Sequence, residues 1–453
     1  MSSLIAIIGA ILAFFIIVVV HEYGHFVVAR WVGVKVLRFA IGFGKPIFKH
    51  RAKSGVEFVI GWLPLGGYVK MQDAFSQSDN LPGSSGDAFE SKSLWARMAV
   101  VLAGPITNLI LATFLFAIVY SIGITQMKPI IGEVMPHSIA AKAALKPGDQ
   151  IIQMGRSKTN DWQRIVMFLI THIGDQRNLS MMVLPKNSQT PSPRTINLQH
   201  WQFNPLQPDL LSSIGLTTYF PKIPPVVSVI MPDSPAAKTD LRPNDFLLSI
   251  NKQLVDSWQG LVAWVEKHPN QSTTLTVRRN GNLKNIPVMI GEKHEAGRVI
   301  GFLGIQPKPI KIPDDLKFKQ QYPWYLSGEP ALIETAQWMS FHLIVIKQML
   351  MGRISLKALG GPISVFQTAG SASLAGLTAY LEFIAIISVV LGVLNLLPIP
   401  ALDGGHFFFF IIEAVIRRPI PTRVQVMLIN MGVIFLVTIM VYATLNDFTR
   451  LLQ

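Results

Sequence analysis

Residues 4–25 read LIAIIGAILAFFIIVVVHEYGH: an apolar run from Leu4 to Val20, broken only by Gly9, that leads directly into His21, Glu22, Tyr23, Gly24 and His25. Seventeen residues of helix span about 26 Å, so the run nearly crosses a hydrocarbon core of roughly 30 Å. It has no Lys or Arg before it, the first being Arg30. A secretory signal peptide carries positive charge ahead of its apolar stretch, so the run reads as a retained membrane helix. Within HExxH the two histidines stand at i and i+4, on one helix face, where both imidazoles reach a single metal ion. Glu22 points aside, placed to take a proton from water. Ionisable residues at membrane depth are costly and mark function by default. The plain alternative is that the histidines mark a helix end at the interface.

The rest of the chain agrees with a membrane protein. Of 453 residues, 50% are hydrophobic and only 15% are charged, against about 25% in ordinary soluble proteins; this argues against a wholly soluble protein and against disorder. Forty Lys and Arg against 26 Asp and Glu give +14, a surplus that in an apolar chain points to cytoplasmic loops and anionic lipid, not to nucleic acid. The absence of cysteine excludes disulfides, thiolate metal sites and cysteine nucleophiles. Further spans are expected at Met98–Ile124, Leu374–Leu397 (with Glu382 inside) and Val424–Leu445. The basic residues between spans one and two (Lys35, Arg38, Lys45, Lys49, Arg51, Lys53, Lys70, Lys92, Arg97) and between three and four (Arg417, Arg418, Arg423) put both loops in the cytoplasm. Both termini, and the segment from about 125 to 373, then face the other side.

That long segment contains a repeat. Ser138/Ser234, Ala140/Ala236, Lys142/Lys238, Leu145/Leu241, Pro147/Pro243, Asp149/Asp245 and Trp162/Trp258 match at a constant offset of 96, which reads as two copies of one β-rich module. "SIAAKAALKPGDQIIQMG" and "SPAAKTDLRPNDFLLSIN" resemble PDZ domains of bacterial envelope proteases, which take extended peptides at a sheet edge; passive shielding is the alternative. Between the first two spans, Pro46–His50 and Val56–Ile60 flank a turn at 51–55, a hairpin signal. Gly104-Pro105 and Asn108 interrupt the second span and suit packing against the active-site helix. Ala331–Met351 looks amphipathic and suits an interface; His342 within it reads as a surface histidine.

A third metal ligand is required by the usual catalytic zinc site. Asp403 is the best candidate, in "NLLPIPALDGG" (395–405), where prolines break the helix and glycines permit tight turns; His406 is a rival. Asn395 suits a substrate-backbone contact or an interhelical hydrogen bond.

HExxH in the first span, PDZ-like copies between spans two and three, and the LDGG motif near the third together resemble the site-2 protease family over essentially the whole chain. The resemblance implies an intramembrane zinc metalloprotease, with Zn²⁺ held by His21, His25 and Asp403, Glu22 as general base, and Asn395 in contact with substrate. It also implies a membrane-dipping β-element, a place in the bacterial inner membrane with termini and PDZ-like domains in the periplasm, and an anti-sigma factor, cut after a first protease has trimmed it, as substrate, with remnant signal peptides as another. Partners are then transmembrane-helix peptides, the lipid bilayer and peptide ligands of the PDZ-like domains, without nucleic acid.

The expected architecture is a multi-span α-helical membrane protein of four transmembrane helices with two tandem β-rich PDZ-like domains. Its segments are 1–37 (first span with HExxH), 38–96 (cytoplasmic loop with hairpin), 97–124 (second span), 125–220 and 221–309 (PDZ-like domains), 310–372 (amphipathic interfacial helices), 373–423 (third span and LDGG) and 424–453 (fourth span and tail). Two other functions compete: a non-catalytic PDZ scaffold, disfavoured by Glu22 within an intact HExxH, and a metal transporter, which needs polar residues in several spans and no peptide-binding modules.

Overall fold

The computed structural model describes residues 2–72, 87–175, 177–199, 201, 209–295, 298–308 and 312–452. Helix α1 (Ser2–Trp31) leads into strands β1 (Val36–Arg51) and β2 (Glu57–Met71), followed by α2 (Leu94–Ile122) and a short strand β3 (Ile124–Met127). A first β-rich unit follows: β4 (Ile131–Val134), α3 (Ile139–Lys142), β5 (Gln150–Met154), β6 (Ser157–Lys158), α4 (Trp162–Thr171), β7 (Asn178–Leu184), β8 (Ser192–Asn197), α5 (Leu210–Ser213) and β9 (Leu216–Thr218). The second unit holds β10 (Val227–Ile230), β11 (Phe246–Ile250), β12 (Gln253–Leu254), α6 (Trp258–Glu266), β13 (Ser272–Arg279), β14 (Asn282–Met289), β15 (Gly291–Glu295), β16 (Arg298–Phe302) and β17 (Ile305–Pro307). The chain returns through β18 (Lys317–Gln320), α7 (Gly328–Leu350), α8 (Pro362–Ala375), α9 (Leu377–Leu396), α10 (Asp403–Ile416) and α11 (Thr422–Leu452). Among the described residues four helices, α1, α2, α9 and α11, are long and apolar enough to cross a membrane.

The repeat seen in sequence is a repeat of structure. Each unit has a four-stranded antiparallel sheet, in the orders β6-β5-β7-β8 and β12-β11-β13-β14, and a two-stranded pair, β4-β9 and β10-β17. Matching positions do matching work. Gly215 and Gly304 both have positive φ, and a Cβ on either would collide with the Ser138 or Ser234 side chain. The conserved-offset aspartates both cap the preceding turn: Asp149 accepts from Lys146 N and Asp245 from Arg242 N. Among the described residues only the second has a charged partner. Arg279 holds Asp245 through Nε–Oδ1 and Nη2–Oδ2, both at 2.7 Å. Burial works to raise the Asp245 pKa, but this fork and the backbone N–H override it and hold the carboxyl below its ordinary range.

Several expected boundaries move. Strand β3 pairs with β18, so the first residues of the 125–220 segment belong to the connection between α2 and the returning chain, and strand as well as helix occupies 310–372. The border at 309/310 lies outside the described residues. Gly376, with φ +118, ends α8, so α9 starts at Leu377 and Leu374 lies in the preceding helix. Helix α7 does not lie alone on a surface. It buries Ala331, Thr335 and Trp338, joining a core with α1, α2 and α9 residues, and Thr335 Oγ1 meets Thr113 Oγ1 of α2 at 3.0 Å. Its His342 is half-buried, with Nδ1 2.7 Å from Trp338 O. Arg164 of α4 ties the first unit to this helix by donating from Nη2 to Glu334 Oε2, 2.6 Å, beside Tyr120 of α2, which donates to the same oxygen.

The hairpin between α1 and α2 is larger than expected. The 46–51 and 57–61 segments do pair, but both strands bend and continue. Residues 38–41 of β1 lie between 57–60 and 67–70 of β2, which makes the two strands a folded sheet of four segments. Gly42, Gly44 and Gly66 take positive φ at the bends, where a side chain would be strained. The 67–71 segment has its outer edge unpaired among the described residues.

Candidate metal centre

Helix α1 presents His21, Glu22 and His25, each only 8% exposed. The break in the helix after α9 brings Asp403, first residue of α10, against them: Oδ2 stands 3.2 Å from His21 Nε2 and 3.3 Å from His25 Nε2, and the two Nε2 atoms are 3.3 Å apart. Among the described residues these three form the group able to hold a metal ion. His406 is not part of it, because α10 turns its side chain toward Phe409. The triangle fits zinc: bonds of 2.0–2.1 Å in a tetrahedron separate neighbouring ligand atoms by about 3.3 Å. The donor set is also right, two imidazoles and a carboxylate, and Asp403 Oδ2 is buried without a hydrogen-bond partner, as a ligand atom aimed at a cation would be.

Helix α2 builds the back wall. The carbonyl of Val100 lies 2.8 Å from His25 Nδ1 and takes its proton, which leaves the Nε2 lone pair for a metal. The Asn108 amide meets His21 Nδ1 at 3.2 Å. The atom facing the ring is Nδ2, and Oδ1 is buried without a partner; a 180° turn of the amide exchanges the two, so that Oδ1 accepts from His21 Nδ1–H and Nε2 is left bare. Thr107 donates to the Val20 carbonyl, 3.1 Å, one residue before the first histidine.

Close approach requires small residues. A Cβ at Gly24 would lie 2.5 Å from Ala103 O, and one at Gly104 would lie 2.2 Å from His25 Nε2. On the other side of the pair, a Cβ at Gly67 would stand 2.8 Å from Glu22 Cγ and 3.1 Å from Val18 Cγ1, so the start of the 67–71 segment lies against Glu22. Asn395, near the end of α9, is buried, and its side chain has no hydrogen-bond partner among the described residues.

The sequence singled out His21, Glu22, His25 and Asp403, and the structure brings all four into one neighbourhood. Gly104 and Asn108 interrupt a span in sequence and suit packing against the active-site helix; their contacts with the individual imidazoles come from the fold. The Val100 carbonyl has no sequence signal at all, and Gly67 was one glycine among many in its segment.

The chain matches the model of peptidase family M50 over residues 9–439. It is 40% identical over 446 residues, 98% of each chain, to a candidate zinc metalloprotease of Vibrio cholerae. It is 37% identical to the regulator of sigma-E protease RseP of Escherichia coli, covering 97% of this chain and 98% of the relative. It is 38% identical over the full length of both chains to a regulator of sigma E protease of Haemophilus influenzae.

Proposed function

The chain belongs to peptidase family M50, and from that premise we propose that it cuts transmembrane segments of single-span proteins, with His21, His25 and Asp403 holding its zinc and Glu22 as general base. The observation that carries this reading is the His21–His25–Asp403 triangle with tetrahedral spacing. The chain is a zinc metalloprotease of the membrane. When bound, zinc supplies a Lewis acid for the scissile carbonyl and lowers the pKa of water. The protein's own residues do the rest. Val100 and Asn108 fix the imidazole tautomers. Glu22, with no hydrogen bond to hold its carboxylate among the described residues, takes the proton of the attacking water and passes it to the leaving amine. A helical substrate hides its carbonyls in internal hydrogen bonds and must unwind before it is cut. The free edge of the 67–71 segment, whose start lies against Glu22, offers such a strand backbone partners, and Asn395 offers an amide to its carbonyl or N–H groups. Helix-weakening residues in the substrate should therefore favour cleavage.

The topology that suits this chemistry puts the α1–α2 and α10–α11 connections in the cytoplasm and both β-rich units in the periplasm of a bacterial inner membrane. Basic residues in those connections support it, as do Trp31 and Trp95, 84% and 78% exposed at neighbouring helix ends, which suit a membrane interface. The units are PDZ-like and lie over the site, where they exclude substrates with bulky outer domains; an anti-sigma factor trimmed by an earlier cut passes. The relatives named as regulators of sigma-E proteases support that substrate class, and remnant signal peptides meet the same size rule. Deleting residues 128–305 should then release cleavage of an untrimmed substrate, and unchanged discrimination would refute the filter.

The deciding experiment pairs elemental analysis with cleavage of a single-span substrate by detergent-purified protein. One zinc in both wild type and Glu22→Gln, with cleavage by wild type alone, is the expected result. Equal cleavage by both, or no metal in either, overturns the assignment.

A further inference from the structure

One stripe of α2 carries Arg97, Gly104 and Asn108. Their spacings of seven and eleven residues keep them within about 20° of a common line along the helix. Gly104 abuts both imidazoles and Asn108 meets His21, so this stripe already sets the position of the two α1 ligands. Arg97, at the start of the same stripe, reaches α10. Its guanidinium grips Glu413 through Nη2–Oε1, 2.5 Å, and Nη1–Oε2, 3.3 Å, and lies over the Phe410 ring, 4.9 Å from its centroid. Both charged side chains are largely removed from solvent, at 15% and 19% exposure.

We infer that Arg97 and Glu413 are positioning residues of the metal centre: they clamp α10 to α2 and so fix Asp403 in the frame that holds His21 and His25. The inference rests on Asp403 being a zinc ligand. At its N-terminal end Gly404 and Gly405 seat α10 against the carbonyls of Leu397 and Ile399, and Phe409 is buried further along the helix. A glycine seat and apolar packing are non-directional and resist a small roll about the α10 axis less than a hydrogen-bonded ion pair does. A carboxylate sits about 4–5 Å off a helix axis, so a roll of about 10° carries it roughly 0.8 Å, beyond the ~0.2–0.5 Å a metal site tolerates. Glu413 stands ten residues along α10, about 15 Å from Asp403. A planar two-point contact there resists roll and axial slip together, which the point charge of a lysine would not do.

The test follows zinc loss from purified full-length protein to an excess of chelator, beside thermal melting. Arg97→Gln and Glu413→Gln should each release zinc on the order of 10-fold faster or more, and the swapped pair Arg97→Glu with Glu413→Arg should recover to within about threefold of wild type. Arg164→Gln, which breaks the ion pair with Glu334 near the opposite end of α2, serves as control and should leave zinc loss unchanged. Wild-type zinc retention in both single variants, or acceleration no greater than that of Arg164→Gln, overturns the inference. Should the Gln variants not fold, Arg97→Lys decides: faster zinc loss with unchanged melting supports a positioning role, and unchanged loss overturns it. Asp403→Ala separates the premise from the inference. Fast zinc loss there with normal retention in the Arg97 variants sinks the clamp alone, and normal retention in Asp403→Ala sinks the ligand assignment beneath it.

Discussion

Gly104→Ala puts one methyl group into the metal centre. The added Cβ would stand 2.2 Å from His25 Nε2, 2.7 Å from its Cε1 and 2.8 Å from His21 Cε1. Ordinary contact begins near 3.4 Å, so the His25 ring would have to retreat by about 1 Å, several times the ~0.2 Å a zinc site accepts. The ring cannot simply swing aside, because Nδ1 is tied to the Val100 carbonyl. Zinc affinity should fall at least ~100-fold, about 2.7 kcal/mol. Helix propensity acts in the opposite direction, since alanine exceeds glycine by about 1 kcal/mol in a helix interior. The same clash costs the fold about 1–3 kcal/mol, part of which this gain offsets, so metal affinity should fall while apoprotein melting changes little. Competition titration against a chromophoric chelator reads the first quantity and thermal melting of metal-free protein the second. Gly328→Ala, whose Cβ would meet nothing within 4 Å, should leave zinc affinity unchanged. Wild-type zinc affinity in Gly104→Ala would refute the geometry of the site.

Other residues carry their own expectations. Asn108→Ala leaves the His21 tautomer unset and should weaken zinc about 10–100-fold, whereas Asn108→Asp, which still accepts the Nδ1 proton, should restore most of it in the same titration. Gly67→Val drives a branched side chain into Glu22 and Val18 and should lower kcat of peptide cleavage at least ~10-fold while zinc stays bound. Asp245 titrates below its unfolded value of about 3.9, so its contribution to the second unit is present above that pH and is lost as pH falls through the depressed folded value. Hydrogen exchange of β11 and β13 in the intact chain should show that loss in wild type, and Asp245→Asn should be less protected at neutral pH by about 3 kcal/mol, with a flatter acid profile. Arg164→Ala should widen the distance distribution between spin labels on α4 and α7, since it removes the ion pair joining them; an unchanged distribution would show that apolar packing alone holds the first unit in place.

How much of this was legible before the fold depends on how far apart the interacting residues stand. HExxH is a local signal: its two histidines share a helix face by periodicity alone, and the seventeen apolar residues before them set their depth. The four long apolar helices and the repeated β-rich unit are likewise written in composition and in a fixed offset. Asp403 was reachable because prolines and glycines flag irregular backbone at the same depth, but one sequence cannot decide between it and His406 three residues on. That choice needed the direction in which α10 leaves the break, which sends Asp403 to the histidines and His406 to Phe409. The orienting partners are still less visible. Val100 acts through its carbonyl, which every residue has. Asn108 is 87 residues from the ring that it meets, and Arg97 is 316 residues from the carboxylate that it grips. Periodicity and propensity are short-range properties of the chain and determine elements, depth and the motif-borne site residues. Which carbonyl accepts from a histidine, which strand segment lies against Glu22, and which ion pair joins α10 to α2 are set by packing between distant segments, and only the tertiary structure decides them.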